Sequence, residues 1–582
     1  MTTYDDIRSL YRSGDTKRLV EVVSRQWRAE NQSLSAELVE LAALAAIKEA
    51  QWPQAHEWLA WLCHQRDAAR DAYHLGLVLD KLGRPAEAIA AFEKSAAAAQ
   101  FRVPAGLNMA QCLLRTQQAR AALQVLERMP LTNTPQAVPM HTLLKAQALY
   151  ALGRYQEAAE CAAAAVKTQP KPPVNVLTVL AAAWLKLGKV DEAVAIYRDI
   201  LQARPNNLQH RYNLAAALSN HTHADALREA IEHAHQVLET APEHAQARHT
   251  LALSHAKLGE WPRVIEHGRH LLSRWPEEPR YIETLATALS NMGQHVQALE
   301  VIEAGLRACT HPPAMLYRQK GIFHCRLGQF EQAESALAQA HGLDDRDQRT
   351  LAYLAIARLA LGQREKVAEF YGHGQLVQQL RLQPSAAFGG LASYHQQLAE
   401  DIRHHSRLRL NPHGLAARNG YLTGDLLADR TTAIVEFERL LRQAIDHYLA
   451  QLPDDDTHPM LKHKAAVLRE GYTLNLWATW VKGDGFIDKH IHEESWLSGA
   501  YYVTVPAVCA QTPDSAGYFE YGCIPDDIQL KRTAPRGLIQ PQPGTLVVFP
   551  SYLYHRTIPH ETAEDRISIA FDLTPKSWSH VL

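Results

Sequence analysis

LGRPAEA (residues 82–88), LGRYQEA (152–158), LGKVDEA (187–193), LGEWPRV (258–264), MGQHVQA (292–298), LGQFEQA (327–333) and LGQREKV (361–367) are versions of one phrase. Their glycines, Gly83, Gly153, Gly188, Gly259, Gly293, Gly328 and Gly362, are spaced by 70, 35, 71, 34, 35 and 34 residues. The two double steps hold degenerate copies, RTQQARA near Gln118 and NHTHADA near His223, and weaker copies reach back through Trp52 to Gly14. Prolines recur with a similar period at Pro170, Pro205, Pro242 and Pro276. Such a period is long enough for two helices of about a dozen residues and a turn, a unit that cannot bury its apolar faces alone and must stack on copies of itself. Glycine permits the left-handed backbone at the end of the first helix. Alanine lets neighbouring helices approach, and proline ends the second helix.

These residues resemble the tetratricopeptide repeat, with Leu-Gly closing the first helix, Ala in the second and Pro at the exit. The resemblance covers about residues 1–375. It implies an α-solenoid with a concave groove of the kind that holds a peptide or partner protein. Tyr, Trp and Leu within these helices read as packing between repeats.

Composition narrows the function. The 582 residues carry 60 Lys+Arg against 62 Asp+Glu, a net charge of -2, which argues against a nucleic-acid-coating or polybasic membrane protein. Hydrophobic residues at 47% and charged residues at 21% describe a folded chain. No apolar run reaches the roughly 18 residues of a membrane span, and the N-terminus lacks a secretory apolar stretch, so a cytoplasmic location is expected. The seven cysteines, Cys63, Cys112, Cys161, Cys309, Cys325, Cys509 and Cys523, form no CxxC pair and read as small buried residues.

After about residue 375 the phrase stops. Residues 376–470 read as helices and connections, including the amphipathic TTAIVEFERLLRQAIDHYLAQL. From Tyr472 onward, TLNLWATWV, SGAYYVTVP, GTLVVFPS and RISIAFDL are short, β-branched and aromatic runs separated by Pro- and Gly-bearing stretches, the pattern of a β-sandwich or barrel. Within it lies GFIDKHIHEESWLSGAYYV. His490 and His492, two apart, fall on one face of a strand, about 7 Å from each other along the chain. A metal ion there needs a third ligand from a facing strand, and His555 in GTLVVFPSYLYHRTIP is the candidate. Arg566 follows eleven residues later, with Ser568 on the same side of its strand. The arginine fork suits a carboxylate. With 31 histidines in the chain, HxH is cheap. The pairs His221/His223 and His233/His235 fall inside the repeats and read as solvated or packing residues, and His404 and His405 read as surface residues.

This ordered set resembles the iron(II)- and 2-oxoglutarate-dependent oxygenases, in particular the bacterial HxH-type 2OG-Fe(II) oxygenase subfamily. The resemblance covers roughly residues 380–582 and is strongest over 472–573. It implies a double-stranded β-helix (jelly-roll, cupin-like) with flanking helices, Fe(II) as cofactor and 2-oxoglutarate as cosubstrate. Position by position, His490 and His555 match the first and last iron ligands, and Arg566 and Ser568 the grip on the distal carboxylate of 2-oxoglutarate. Tyr502 matches a tyrosine that shares that carboxylate, and Asn475 faces the metal-proximal end. Most relatives have a carboxylate where this chain has His492. His492 itself is the preferred third ligand. Glu493, Glu494 or water are alternatives, with Asp488 the outside candidate. No side chain is assigned as general acid or base. Trp480 and Trp496 read first as core aromatics and second as lining of the substrate mouth.

The expected organisation is therefore α + β and multidomain: repeats over 1–375, a helical connection over 376–470, and the β-core over 471–582. Collagen-type prolyl hydroxylases and aspartyl/asparaginyl β-hydroxylases are similar in joining such helices to this catalytic class. The resemblance implies a dioxygenase that consumes dioxygen and hydroxylates a side chain of a protein or peptide recruited by the repeats, acting on neither nucleic acid nor membrane. Oxidation of a small molecule, with the repeats used for assembly, is the alternative. A non-catalytic scaffold with a vestigial metal site is the third reading.

Overall fold

A computed structural model of the chain describes residues 4–29, 34–131, 134–168, 171–372, 375–410, 416–510, 514–532, 534–562 and 564–580. Pro170 lies outside the described residues. From Tyr4 to Tyr371 the chain is a series of paired α-helices. The recurrent glycines close the first helix of each pair at positive φ, from +70° at Gly328 to +77° at Gly362. Arg84 N–H donates to Leu79 C=O across Gly83 at 2.9 Å, and Gln294 does the same to Leu289 across Gly293 at 2.9 Å, so the last carbonyls of each helix are capped. Gln117 and Ala50 keep this geometry without glycine, at φ +61° and +54°, and Gly14 stands at +80°, whereas the degenerate copy near His223 turns without a residue at positive φ. The recurrent alanines, among them Ala88, Ala193, Ala298 and Ala333, are fully buried. Pro205, Pro242 and Pro276 follow helices that end at Ala203, Thr240 and Arg274. Tetratricopeptide-type helix pairs are thus formed as the period requires.

The chain packs as two compact units that divide between Ala203 and Arg204. The first holds the helix pairs up to Val190–Ala203, with cores such as Leu123, Leu126, Leu144, Ala158 and Leu180. The second holds five further pairs, from Leu208–Leu218 to Arg364–Tyr371, together with everything that follows to Ser579. Within this second unit the last repeats and the β-region share one apolar core, which runs from Ile282 through Tyr353 and Phe370 to Tyr501, Phe549 and Leu573. Tyr552 Oη donates to Phe370 C=O at 2.8 Å, Tyr353 and Tyr554 hydroxyls meet at 3.4 Å, and Arg326 pairs with Asp527 at 2.6 Å.

The β-region is an antiparallel jelly-roll. Its strands are β1 (Gln378–Arg381), β2 (Arg409–Leu410), β3 (Ala417–Leu422), β4 (Tyr472–Ile487), β5 (Leu497–Thr504), β6 (Phe519–Tyr521), β7 (Gly537–Ile539), β8 (Thr545–Pro550), β9 (His555–Thr557) and β10 (Arg566–Pro575). The large sheet has the order β1-β8-β5-β10-β4-β3-β2, and β7-β6-β9 form the small one. Residues 376–470 therefore supply strands as well as helices. QQLR and the β2 dipeptide are short, polar edge strands whose register is lent by their neighbours, as in Leu380 opposite Leu546, so their own sequence carries no alternation to read. The amphipathic stretch forms the helix Thr432–Gln451, capped by the Thr431 hydroxyl. With Leu391–Arg403 it covers one face of the sheet: Phe437 packs on Tyr501 at 5.1 Å and His395 hydrogen-bonds the Tyr501 hydroxyl at 2.7 Å. His405 is not a surface residue. It is buried and meets Leu426 C=O at 3.0 Å, while His404 is exposed. No described helix is long and apolar enough to cross a membrane.

Alternation divides β10. Ile567, Ile569, Phe571 and Leu573 are fully buried under the covering helices, and Arg566, Ser568, Ala570 and Asp572 take the other, inner face. Register places Tyr502, Ala500 and Ser498 of β5 beside Ser568, Ala570 and Asp572, and Thr479, Trp477 and Asn475 of β4 on their other side. Gly499, in the middle of β5, has no room for a side chain: a Cβ would lie 2.5 Å from Val547 C=O and against the Phe571 ring. Gly499→Ala is expected to destabilise the second unit by about 1–3 kcal/mol, seen as a lower urea midpoint for the transition that loses the β signal in circular dichroism.

Candidate metal centre

Strand β4 ends at Ile487, so His490 and His492 lie just past it rather than within a regular strand. An isolated bridge holds them extended. His490 N–H donates to His555 C=O and His555 N–H returns the bond to His490 C=O, both at 3.1 Å, while His492 N–H donates to Ser551 C=O at 3.1 Å. The two segments are thereby locked side by side. His490, His492 and His555 each offer a ring nitrogen, and these atoms lie within 4.8 Å of one another. It is the one such cluster of histidine, cysteine or acidic residues among the described residues. The His221/His223 and His233/His235 pairs form none; the rings of the first pair are 6.0 Å apart.

The proton on each ring follows from its partner. His490 Nδ1 is 2.8 Å from Asp488 C=O and His555 Nδ1 is 2.9 Å from Leu553 C=O. A carbonyl only accepts, so both Nδ1 atoms carry the proton. His492 Nδ1 is 2.7 Å from the Asp572 carboxylate. All three Nε2 lone pairs are then left to face one another, and the His492 and His555 Nε2 atoms stand 3.3 Å apart. Three converging lone pairs repel unless a cation lies between them, so the donor set fits a divalent metal and leaves further coordination positions open. Burial, then the neighbouring His492, lowers the His490 pKa to about 4. Burial, His490 and His492 hold His555 well below its ordinary value. The His490 and His555 rings are therefore kept neutral, as ligation demands.

Asp572 is the residue that sequence reasoning missed. Burial opposes its ionisation, but His492 and the hydroxyls of Ser498 and Ser495 outweigh that and hold its carboxyl below the ordinary range. Ser498 Oγ lies 2.7 Å from Asp572 and 2.7 Å from Ser551 Oγ, so the carboxylate sits in a small serine network. Its only trace in the sequence is an acidic residue at the seventh position of RISIAFDL, six residues after Arg566 and so on the same face of the strand. The acidic neighbours proposed as alternative ligands are otherwise engaged. Glu493 pairs with Arg349 at 3.5 Å, from the helix Gln348–Ala360, Asp488 pairs with Arg418 at 3.3 Å, and Glu494 is exposed.

Aromatic residues wall the cluster. Phe549 is 4.5 Å and Phe519 5.5 Å from His555, and Trp477 stacks on His492 at 5.6 Å. Trp477 rather than the other two tryptophans meets the site. Trp496 is core, with its N–H donated to Met460 C=O at 3.0 Å, and Trp480 stacks on Tyr421 on the opposite face of β4. Asn475 shares the inner face opposite Asp572 and is exposed.

At the other end of that face, Arg566 is 4% exposed, and no carboxylate pairs with it among the described residues. Its Nη1 donates to Gly517 C=O at 2.7 Å, and its guanidinium lies 5.2 Å from the Tyr502 ring centre. The Tyr502 hydroxyl is buried, and its O–H finds no acceptor among the described residues. Between Arg566 and Asp572 the inner face of β10 carries only Ser568 and Ala570, with Ala500 opposite Ala570 on β5. A buried guanidinium that no described carboxylate pairs, at one end of a floor of small residues, suits an anionic ligand.

A family model described as "Putative 2OG-Fe(II) oxygenase" matches residues 475–572. Two models described as "Tetratricopeptide repeat" match residues 81–145 and 143–207. The chain thus carries tetratricopeptide repeats ahead of a domain of the 2OG-Fe(II) oxygenase class. Among solved structures it is similar to a tetratricopeptide repeat protein from Parabacteroides merdae ATCC 43184, at 17% identity and a TM-score of 0.38, over 44% of this chain and 98% of that one. It is also similar to a chain of the APC/C hetero-tetramer Cut9-Hcn1, at 15% identity and a TM-score of 0.28, over 59% of this chain and 79% of that one. No curated protein matches the chain.

Asp572→Asn removes the charge that orients His492 while keeping the shape of the side chain. It is expected to weaken Mn(II) or Co(II) binding about 10- to 100-fold in a calorimetric titration. An unchanged affinity would mean that Asp572 does not serve the metal through His492.

Proposed function

We propose that the chain is an Fe(II)- and 2-oxoglutarate-dependent dioxygenase that hydroxylates a side chain of a protein or peptide recruited by its repeats. The observation that carries this reading is the pairing, on one inner face, of three lone pairs that need a cation with a buried guanidinium that needs an anion. His490, His492 and His555 would hold Fe(II). Arg566, with Tyr502 and Ser568 beside it, would hold the distal carboxylate of 2-oxoglutarate. Asn475 would stand at the metal-proximal mouth. When bound, iron and cosubstrate supply an oxidation in which 2-oxoglutarate, dioxygen and a substrate C–H become succinate, CO2 and a C–OH.

The chain's own residues do the rest. The Asp488 and Leu553 carbonyls and the Asp572 carboxylate fix the three rings in the tautomer that points Nε2 inward. Asp572 places one negative charge a single imidazole away from the metal. This compensates for the carboxylate that most relatives bind directly, and it accounts for a histidine at position 492. Phe519, Phe549 and Trp477 keep water from the cluster and lower the local dielectric. Ala500 and Ala570 leave room for a small diacid between metal and arginine. The repeats of the second unit bear on the site, since Arg349 on the helix Gln348–Ala360 holds Glu493 beside His492. This supports delivery of a substrate by the repeats over their use in assembly alone.

The test is 2-oxoglutarate-dependent formation of succinate by the Fe(II)-loaded protein. His555→Ala is expected to abolish it while the helical signal stays intact. Arg566→Ala loses a charge-assisted bidentate grip worth about 1.5–3 kcal/mol, so the KM for 2-oxoglutarate is expected to rise about 10- to 100-fold. Succinate formation undiminished in the His555 variant would overturn the proposed site. Truncation at Arg204 tests recruitment more cleanly than removal of all the repeats, because the later pairs share the core of the jelly-roll. Undiminished turnover of the true substrate by that fragment would argue against a role for the first unit in its capture.

A further inference from the structure

Three residues after β9 the chain reaches His560, which is buried at 4% exposure. Neither of its ring nitrogens has a hydrogen-bond partner among the described residues. A buried imidazole carries at least one N–H, and leaving it unmet costs about 1–3 kcal/mol, so such a group calls for an acceptor. Its place in the fold says which one. Gly517 N–H donates to Ile558 C=O and Ile558 N–H to Tyr518 C=O, both at 2.9 Å, which pins the backbone two residues before His560 against the turn at Gly517.

That turn is also the anchor of Arg566, whose Nη1 donates to Gly517 C=O at 2.7 Å. Gly517 stands at φ +78°, and a Cβ there would strike Cys509 Sγ and lie 3.4 Å from His560 Cδ2. His560, Cys509 and Arg566 therefore meet at one glycine, and the guanidinium lies 5.2 Å from the Tyr502 ring centre. The titratable groups near this point are Cys509, Tyr502, His560, Arg566 and the exposed Glu564, whose carboxylate is turned to the backbone N–H of Ala507. Among the described residues no side chain supplies an acceptor to the His560 ring or to the Tyr502 O–H.

We infer that His560 is a further binding residue for the cosubstrate, donating an N–H to the distal carboxylate that Arg566 grips, and that with Tyr502 it makes the pocket selective for a 2-oxo acid that carries a second carboxylate. The inference rests on the oxygenase reading above and adds a residue to it that lies outside the Arg-x-Ser strand. A single guanidinium can offer two parallel N–H bonds to a carboxylate, whose two oxygens accept about four. His560 and Tyr502 fill the remainder from the flank. Burial, with a smaller contribution from Arg566, lowers the His560 pKa, so the free pocket holds a neutral imidazole and keeps its positive charge on Arg566 alone.

The test is binding to the Mn(II)-loaded full chain, followed by calorimetry without turnover. 2-Oxoglutarate is compared with 2-oxobutanoate, which lacks the second carboxylate. His560→Leu is expected to weaken 2-oxoglutarate about 10- to 100-fold and to leave 2-oxobutanoate and the Mn(II) stoichiometry unchanged. His560→Gln, which keeps a donor, should restore most of the affinity. In the wild-type Zn(II) protein with 15N-labelled histidine, 2-oxoglutarate but not 2-oxobutanoate should shift one imidazole resonance, assigned by its absence from the Gln variant. This second measurement holds even if the Leu variant does not fold. Equal binding of 2-oxoglutarate by wild type and His560→Leu, or no such resonance shift, overturns the role of His560 alone. A wild-type protein that does not prefer 2-oxoglutarate over 2-oxobutanoate overturns the oxygenase reading, and this inference with it.

Discussion

The reciprocal backbone bridge between His490 and His555 is the constraint on which the site depends. Two N–H···O=C bonds join segments 65 residues apart in the chain, His555 being numbered 555 and His490 490. Each histidine also spends its Nδ1–H on a carbonyl two residues before it, Asp488 or Leu553. One local arrangement thus settles the separation of the rings, their tautomers and the direction of their free lone pairs. The aromatic walls then make the arrangement costly for the apoprotein, because buried lone pairs at close range gain nothing from water. The same cost favours a metal.

The third histidine is placed by the sheet. His492 would be an unusual substitute for a carboxylate if it stood alone, since a three-imidazole face brings no negative charge to the cation. Asp572 restores that charge at one remove. It comes from β10, the strand that also carries Arg566 at its other end, so a single strand positions both the carboxylate that supports His492 and the buried guanidinium. The serines around Asp572 keep it ionised despite burial. The histidine cluster and the buried guanidinium are thereby registered to one another by the pleat of β10, with small residues between them.

The later repeats are structural partners of the jelly-roll as well as candidates for binding. Tyr552, Tyr554 and Asp527 each meet a residue of the helices between Ala314 and Tyr371. The loop that holds His492 feels them through Glu493 and Arg349. An event on these helices has a short physical path to the loop of His492, made of one ion pair and one peptide step.

How much of this was legible in the residues differs by element. The repeats were readable because a Gly at positive φ and an Ala at a close approach are demanded by local backbone geometry, and demand recurs with the period; even Gln117 and Ala50, which break the phrase, keep the turn. The histidine set and Arg566 were readable through their order and their β-type surroundings. Strands β1 to β3 were not, because QQLR and its neighbours borrow register from other strands and bear no pattern of their own. Asp572 and His560 were not either, since an acidic residue in a strand and a histidine after a turn look ordinary until register and burial show what faces them. The sequence by itself determined the repeat period, the change to β-structure and the residue types able to hold a metal and a carboxylate, because those follow from spacing along the chain. Tertiary structure alone decided that Glu493 turns to Arg349, that Asp572 supports His492, and that Arg566, Tyr502 and His560 are buried with no acid paired to them among the described residues, because pairing across strands is a property of the fold and not of any one segment.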